Sequence, residues 1–137
     1  MNEGLDGGHG VSSLATYGYG YLLDGGAHQG NDVLVDRIKL GAEWSRKVRR
    51  PSGCYDLVTT NFDSSPDTGF IVNALSPVVK AARIAAENGD SGAGVIAEEI
   101  GEIIQAATPG MVAGGFHTPN HRWVLVSALS QAYDLFP

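Results

Sequence analysis

Gly114-Gly115-Phe116-His117-Thr118-Pro119-Asn120-His121-Arg122-Trp123 is a stretch in which a loop leads into the start of a helix. Thr118 suits the N-cap position, and Pro119 suits the first helical position because its missing N–H would have been unpaired there anyway. The next residues fall in the first turn, where free backbone N–H groups and the positive end of the helix dipole favour a bound anion. The stretch therefore predicts a helix start that presents polar and aromatic side chains around an anion site.

The same kind of helix start occurs earlier in the chain, at Ser65-Pro66-Asp67-Thr68-Gly69-Phe70. Both stretches follow the pattern Ser/Thr-Pro-Asp/Asn-x-x-aromatic, and Thr118 follows Ser65 by 53 residues. This spacing matches the length of two helices with their loops, so the repeat predicts that both helices begin at the same end of a helical array.

The apolar periodicity predicts helices at about 32–50, 66–87, 93–107 and 119–135, with a short helix within 11–23 and an extended segment at 54–62. Helices one and three carry a charged face and are expected outside, whereas helices two and four are apolar on most sides and are expected inside. Pro77 should kink or interrupt the second helix, and Thr108-Pro109-Gly110 should end the third. The predicted fold is all-α and built of antiparallel helical hairpins, with a Gly-rich N-terminal segment at 1–30 and a helical-hairpin domain at 31–137.

The composition limits which classes of binding partner are expected. The net charge is −6 and the isoelectric point is about 5.0, which argues against a nucleic-acid partner. No apolar run approaches the ~20 residues that span a bilayer, so we expect no membrane partner, and because the N-terminus lacks a signal-sequence pattern we expect a cytoplasmic protein. A few stacked hairpins leave an apolar helix face uncovered, which predicts a homo-oligomer.

Candidate site residues cluster at the two helix starts. A neutral His121 beside a bound carboxylate can move a proton, Asn120 can donate to that carboxylate, and Arg122 can clamp it. The alternative is that Asn120 and His121 cap a buried helix start and that Trp123 belongs to the core. His117 and His121 have a spacing that can bind a metal ion, but no third ligand is evident, and we expect neither a metal nor another cofactor.

Polar residues at the earlier helix start are candidates for the same cleft. Asn61, Asp63 and Asp67 precede or open the second helix. On the functional interpretation they line the cleft with Asn120 and His121 and bind substrate. On the alternative, Asp67 only complements the helix dipole.

These stretches give the chain a family resemblance. Phe62–Phe70 and Phe116–Trp123 resemble the α/α-toroid domain of heparinase II/III-like and alginate-lyase-like polysaccharide lyases. The resemblance covers about residues 55–137 and implies a partial α/α toroid. In those lyases an Asn-His pair at an inner-helix start lies in the substrate cleft: the Asn neutralises the uronate carboxylate, and the His acts with a later Tyr during β-elimination.

Carried over, the resemblance makes Asn120 the neutraliser and His121 the acid/base, with Arg122 aiding substrate binding. Trp123 and His117, from the same stretch, are further candidates for substrate binding. Here Arg122 stands where the family commonly has Gly, and the partner Tyr would lie beyond Pro137. We therefore expect a fragment or relative of such a lyase that binds acidic polysaccharide or oligosaccharide, with β-elimination only if that Tyr is supplied. The alternative is a non-catalytic helical module that self-associates or assembles with a missing remainder.

Overall fold

Helices dominate the architecture, and the all-α prediction is confirmed at that level, with one small hairpin as the exception. The computed structural model describes residues 7–57, 60–116 and 118–137. The elements in these ranges are α1 (Gly7–Ser12), α2 (Leu14–Leu22), α3 (Asp32–Val48), β1 (Tyr55–Leu57), β2 (Asn61–Ser64), α4 (Ser65–Glu87), α5 (Ser91–Ala113) and α6 (Pro119–Leu135).

Helices α2, α4 and α6 lie side by side in one row. Gly69 of α4 packs against Val124 of α6, and further along the same helices Asn73 accepts a hydrogen bond from Ser127. Because the contacting residue numbers rise together, α4 and α6 are parallel and begin at the same end of the molecule. On the other flank of α4, Gly18 of α2 packs against Val78.

Helices α3 and α5 form the second row. Arg46 of α3 and the C-cap residue Arg49 pair with Glu99 and Glu102 of α5 at 2.8 and 2.9 Å, so these helices are also parallel. Each pair is 53 residues apart, the spacing of the two Ser/Thr-Pro starts. The chain thus alternates between rows. Helices α4 and α5, and likewise α5 and α6, pack as antiparallel hairpins, as predicted, whereas α3 and α4 are joined through β1 and β2 and do not form a packed hairpin.

The core lies between the two rows, with α4 and α5 at its centre. The prediction that the third helix lies outside and the fourth inside is therefore wrong: α5 is covered along most of its length, whereas α6 exposes Trp123, Val126 and Tyr133. Eleven residues of α4 are buried, and the apolar stripe of α5 is closed to solvent. The largest side chains that are wholly enclosed come from both rows and from β1: Tyr55, Leu14, Ile38, Leu75, Ile96, Ile100, Ile103, Ile104 and Met111. Val11 and Leu14 belong to this same core, so the N-terminal segment is packed against the hairpins.

The structure corrects one proline prediction and narrows another. Helix α5 does not end at Thr108-Pro109-Gly110 but continues to Ala113, and Pro77 does not interrupt α4. Tertiary contacts hold the α5 extension in place: Met111 is buried, and Ser65 donates a hydrogen bond of 3.0 Å to the Gly110 carbonyl. These contacts outweigh the loss of one backbone hydrogen bond at Pro109.

The predicted extended segment forms an antiparallel hairpin of β1 and β2 that fixes the start of α4. The Tyr55 backbone N–H donates to the Thr68 hydroxyl at 2.9 Å, and the Tyr55 hydroxyl lies 2.5 Å from the Ser45 hydroxyl. Tyr55 thereby joins α3, the hairpin and α4, and its burial raises the pKa of its phenol.

Helix α4 is long and apolar enough to cross a membrane when length and composition alone are considered. A core helix of a soluble protein passes the same test, and 44% of the apolar window of α4 is buried against the rest of the chain. The feature is therefore weak evidence for a membrane span.

Candidate functional site

The start of α6 is where the sequence predicted it, but its capping differs. Thr118 occupies the N-cap position with extended backbone angles, and its hydroxyl makes no cap hydrogen bond. The hydroxyl instead donates to Oδ1 of Asn120. Since the Thr118 side chain does not cap this helix, the N-terminal end keeps donor capacity for a ligand as far as the described residues show.

Asn120 and His121 lie on different sides of α6. Asn120 is exposed, and because Thr118 holds its Oδ1, its Nδ2 group can still donate. His121 is half-buried and precedes Leu125 by one turn on the face that packs into the core. The pair is therefore not arranged as two side chains converging on one point.

Arg122 and Trp123 border a small cavity at the same helix start. The Arg122 guanidinium lies 4.7 Å from the centre of the Phe116 ring, a cation–π contact that orients it. The cavity has a volume of about 240 Å³ and is lined by these residues together with Thr118 and Pro119. Trp123 is 74% exposed, so the alternative that it belongs to the core is wrong and its ring is available to a ligand.

At the start of α4, capping accounts for most of what Asp67 does. The helix is capped by Ser64, whose hydroxyl accepts from the Asp67 N–H at 3.3 Å. In return Oδ2 of Asp67 accepts from Ser64 and, at 3.1 Å, from Asn61. Asp67 therefore reinforces the Ser64 cap through the hydroxyl of Ser64.

Asn61 and Asp63 line a second cavity, of about 250 Å³, together with Gly114 and Gly115 from the loop before α6. The lead-in segments of α4 and α6 therefore meet here. Asp63 has a positive φ of 51°, held because its N–H donates to Asp56 at 2.7 Å and Ser52 donates to its carboxylate.

The carboxylate of Asp56 is itself held by a cation. Arg50 binds it with contacts of 2.5 to 3.0 Å, and these hydrogen bonds lower the pKa of Asp56. Arg46 and Arg49 are likewise paired with carboxylates of α5. The basic run at the end of α3 thus joins elements of the fold, and no ligand role is needed to explain it.

The predicted site residues are close in the fold but do not share one cleft. Arg122 and Trp123 border the first cavity, Asn61 and Asp63 the second, and Asp67 a third one on the opposite flank of α4. His117 lies outside the described residues. In the part of the chain that the structure describes, no group of three or more His, Cys, Asp and Glu side chains could hold a metal ion.

One residue that positions the site was not predicted from the sequence. Asn73, in an apolar stretch of α4, donates to the Val124 carbonyl at 3.0 Å and accepts from Ser127 and Gln131. It therefore sets the register of α6, and with it the position of Arg122. Its signal in the sequence was a single amide among apolar residues.

A comparison of the chain with family models, curated proteins and solved structures found no match. The function consequently has to be argued from the geometry of the site.

Proposed function

We propose that this chain is part of an α/α-toroid protein similar to polysaccharide lyases, and that it binds an acidic polysaccharide or oligosaccharide at the start of α6. The proposal rests on one observation: α2, α4 and α6 lie side by side in a row, in which α4 and α6 are parallel and begin at the same end. Such a row, backed by α3 and α5, is the arrangement expected for an arc of helical hairpins.

The chemistry of this helix start suits a uronate. Arg122 can bind a carboxylate in a bidentate manner, and the uncapped end of α6 adds backbone donors and a favourable dipole. The exposed Trp123 ring offers a flat apolar surface to the sugar ring. Nδ2 of Asn120 would donate to the same carboxylate, while Oδ1 stays with Thr118.

Catalysis is proposed only in the presence of a Tyr supplied from elsewhere. In that case His121 would exchange the proton at C5 of the uronate and Asn120 would neutralise its carboxylate. Because the two side chains lie on different sides of α6, this step requires them to converge once the Tyr and the substrate are in place. An assay of ultraviolet absorbance for unsaturated uronate tests this part. A flat trace with several uronans removes catalysis from this chain while leaving the binding proposal intact.

Calorimetric titration with uronate oligosaccharides and with neutral oligosaccharides of equal length tests binding. Arg122→Gln should weaken uronate binding about tenfold, the effect of losing roughly one charge-assisted hydrogen bond. Arg37→Gln is the matched control, since Arg37 is an exposed cation on α3 in the other row. Equal affinity for neutral and acidic chains, or equal losses in both variants, would refute the proposal.

A second candidate function is a helical module that self-associates. Val126 and Tyr133 expose 57% and 70% of their surface on the α6 face turned away from the core, beside Trp123. Several large apolar residues on one exposed helix face are typical of an interaction surface. Sedimentation at increasing concentration tests this function, and a monomer throughout would exclude it.

A further inference from the structure

A third cavity lies on the other flank of α4, between α1, the hairpin and the first turns of α4. Its volume is about 390 Å³, within the range of small-molecule sites. The lining residues come from all three elements: Gly8, His9, Ser12, Leu57, Asp67, Phe70 and Ile71.

Asp67 provides the only carboxylate among these lining residues, and one of its oxygens is uncommitted. Oδ2 accepts from Asn61 and Ser64, whereas Oδ1 accepts from none of the residues that the structure describes. Within those residues Asp67 also has no Lys or Arg partner, although it is half-buried. A half-buried carboxylate without a counter-ion attracts a cation.

The rest of the lining favours an organic cation. The Ser12 hydroxyl already donates to the His9 carbonyl at 3.0 Å, so it does not serve as a donor to a ligand. Phe70 lines the cavity with 50% of its surface exposed, and Leu57 and Ile71 add apolar surface. An aromatic face next to a carboxylate is the combination that binds alkylammonium groups.

We propose that this pocket binds a small organic ammonium ion, with its charge on Oδ1 of Asp67 and its alkyl groups against Phe70. This site is separate from the one proposed for the acidic sugar, because the Asp67 carboxylate would repel an acidic sugar. The net charge of −6 also favours the approach of a cation over that of an anion.

The test is an NMR titration of the full chain with tetramethylammonium, with tert-butyl alcohol as the neutral probe of similar shape and pivalate as the anionic one. Working at about pH 8 keeps ordinary imidazoles neutral. We expect saturable shifts near Phe70 and Ile71 with tetramethylammonium and much smaller shifts with the other two probes.

Two variants locate the binding site. Asp67→Asn should weaken tetramethylammonium binding about tenfold, whereas the matched Asp63→Asn, which alters the separate cavity lined by Gly114 and Gly115, should leave it unchanged. Phe70→Leu keeps the cap of α4 and should weaken binding several-fold, so the proposal remains testable even if Asp67→Asn disturbs the helix start.

The proposal is overturned if tert-butyl alcohol binds as well as tetramethylammonium, if no saturable binding occurs, or if both Asp67→Asn and Phe70→Leu bind like the parent chain. These outcomes do not depend on uronate binding, because that is measured separately with the Arg122 variant.

Discussion

Asn73 should be the polar residue on which the position of α6 depends most. Its Nδ2 group donates to the carbonyls of Gly69 and Val124 at 2.9 and 3.0 Å. Its Oδ1 accepts from Ser127 at 2.7 Å and from Gln131 at 2.5 Å. Replacing it with Ala removes three hydrogen bonds between the helices and one within α4.

The loss of stability in Asn73→Ala depends on how many of the hydrogen-bond partners of Asn73 can bond to water instead. A hydrogen bond contributes about 0.5–1.5 kcal/mol net, so three interhelical bonds set an upper range of about 1.5–4.5 kcal/mol. Ser127 is exposed and Gln131 is half-buried, so both can bond to water after the substitution. We therefore expect Asn73→Ala to lower the free energy of unfolding by about 2 kcal/mol.

Urea unfolding followed by circular dichroism measures this loss. Asn88→Ala is the matched control because its side chain makes one exposed bond, to Ile84 at 2.9 Å within the same helix. A double-mutant cycle with Gln131→Ala should give a coupling of about 1 kcal/mol. The reasoning is refuted if Asn73→Ala costs no more than the control or if the two sites are additive.

Two further substitutions test other parts of the fold. Tyr21 donates to Asp90 at 2.8 Å, and burial followed by this bond raises the pKa of Tyr21 to about 12. The folded state thus favours the neutral phenol. The stability that this phenol provides is complete below pH ~10 and disappears as the pH rises through about 12. The free energies of unfolding of the parent and of Tyr21→Phe should therefore converge when they are measured across that pH window. Gly53→Ala should lower the free energy of unfolding by more than about 2 kcal/mol, because φ is +98° and the new Cβ would collide with the Ala106 carbonyl. Gly89→Ala is the control in the same urea assay. Its φ is +97° but the space around it is open, so it should cost about 1 kcal/mol.

Much of the helical layout was predictable because apolar periodicity records which face of a helix is buried. The stripe around Ile96 and Ile100 predicted α5, and the repeated Ser/Thr-Pro starts predicted that α4 and α6 begin at one end. The end of α5 was not predictable, since it depends on Ser65 and Met111 reaching partners that are distant in sequence.

The site was less predictable than the fold, because the pattern of a helix start does not determine the direction of its side chains. Asn120 and His121 are adjacent in sequence but about 100° apart around the helix, which places one in solvent and the other toward the core. Likewise Asp67 resembles a substrate ligand in the sequence, but its two hydrogen bonds with Ser64 are those of a cap, and Asn61 donates to the same carboxylate oxygen. A helical wheel would have placed Asn120 and His121 on different faces of the helix. The role of Asp67 could not be predicted in this way, because it depends on the hairpin that places Asn61 beside it.

The distribution of charge makes the two binding proposals independent of each other. Arg46, Arg49 and Arg50 already pair with carboxylates, so an anionic sugar at the start of α6 would rely mainly on Arg122. On the other flank of α4, Asp67 lacks a described cationic partner, so an ammonium ion would meet the opposite charge. Added salt should weaken both interactions because each involves an exposed or half-buried charge. Arg122→Gln should then abolish selectivity for the acidic sugar and leave ammonium binding unaffected. Asp67→Asn should abolish selectivity for the ammonium ion and leave sugar binding unaffected. If one substitution weakened both ligands, the two cavities would belong to a single site and the separation argued from their lining residues would be wrong.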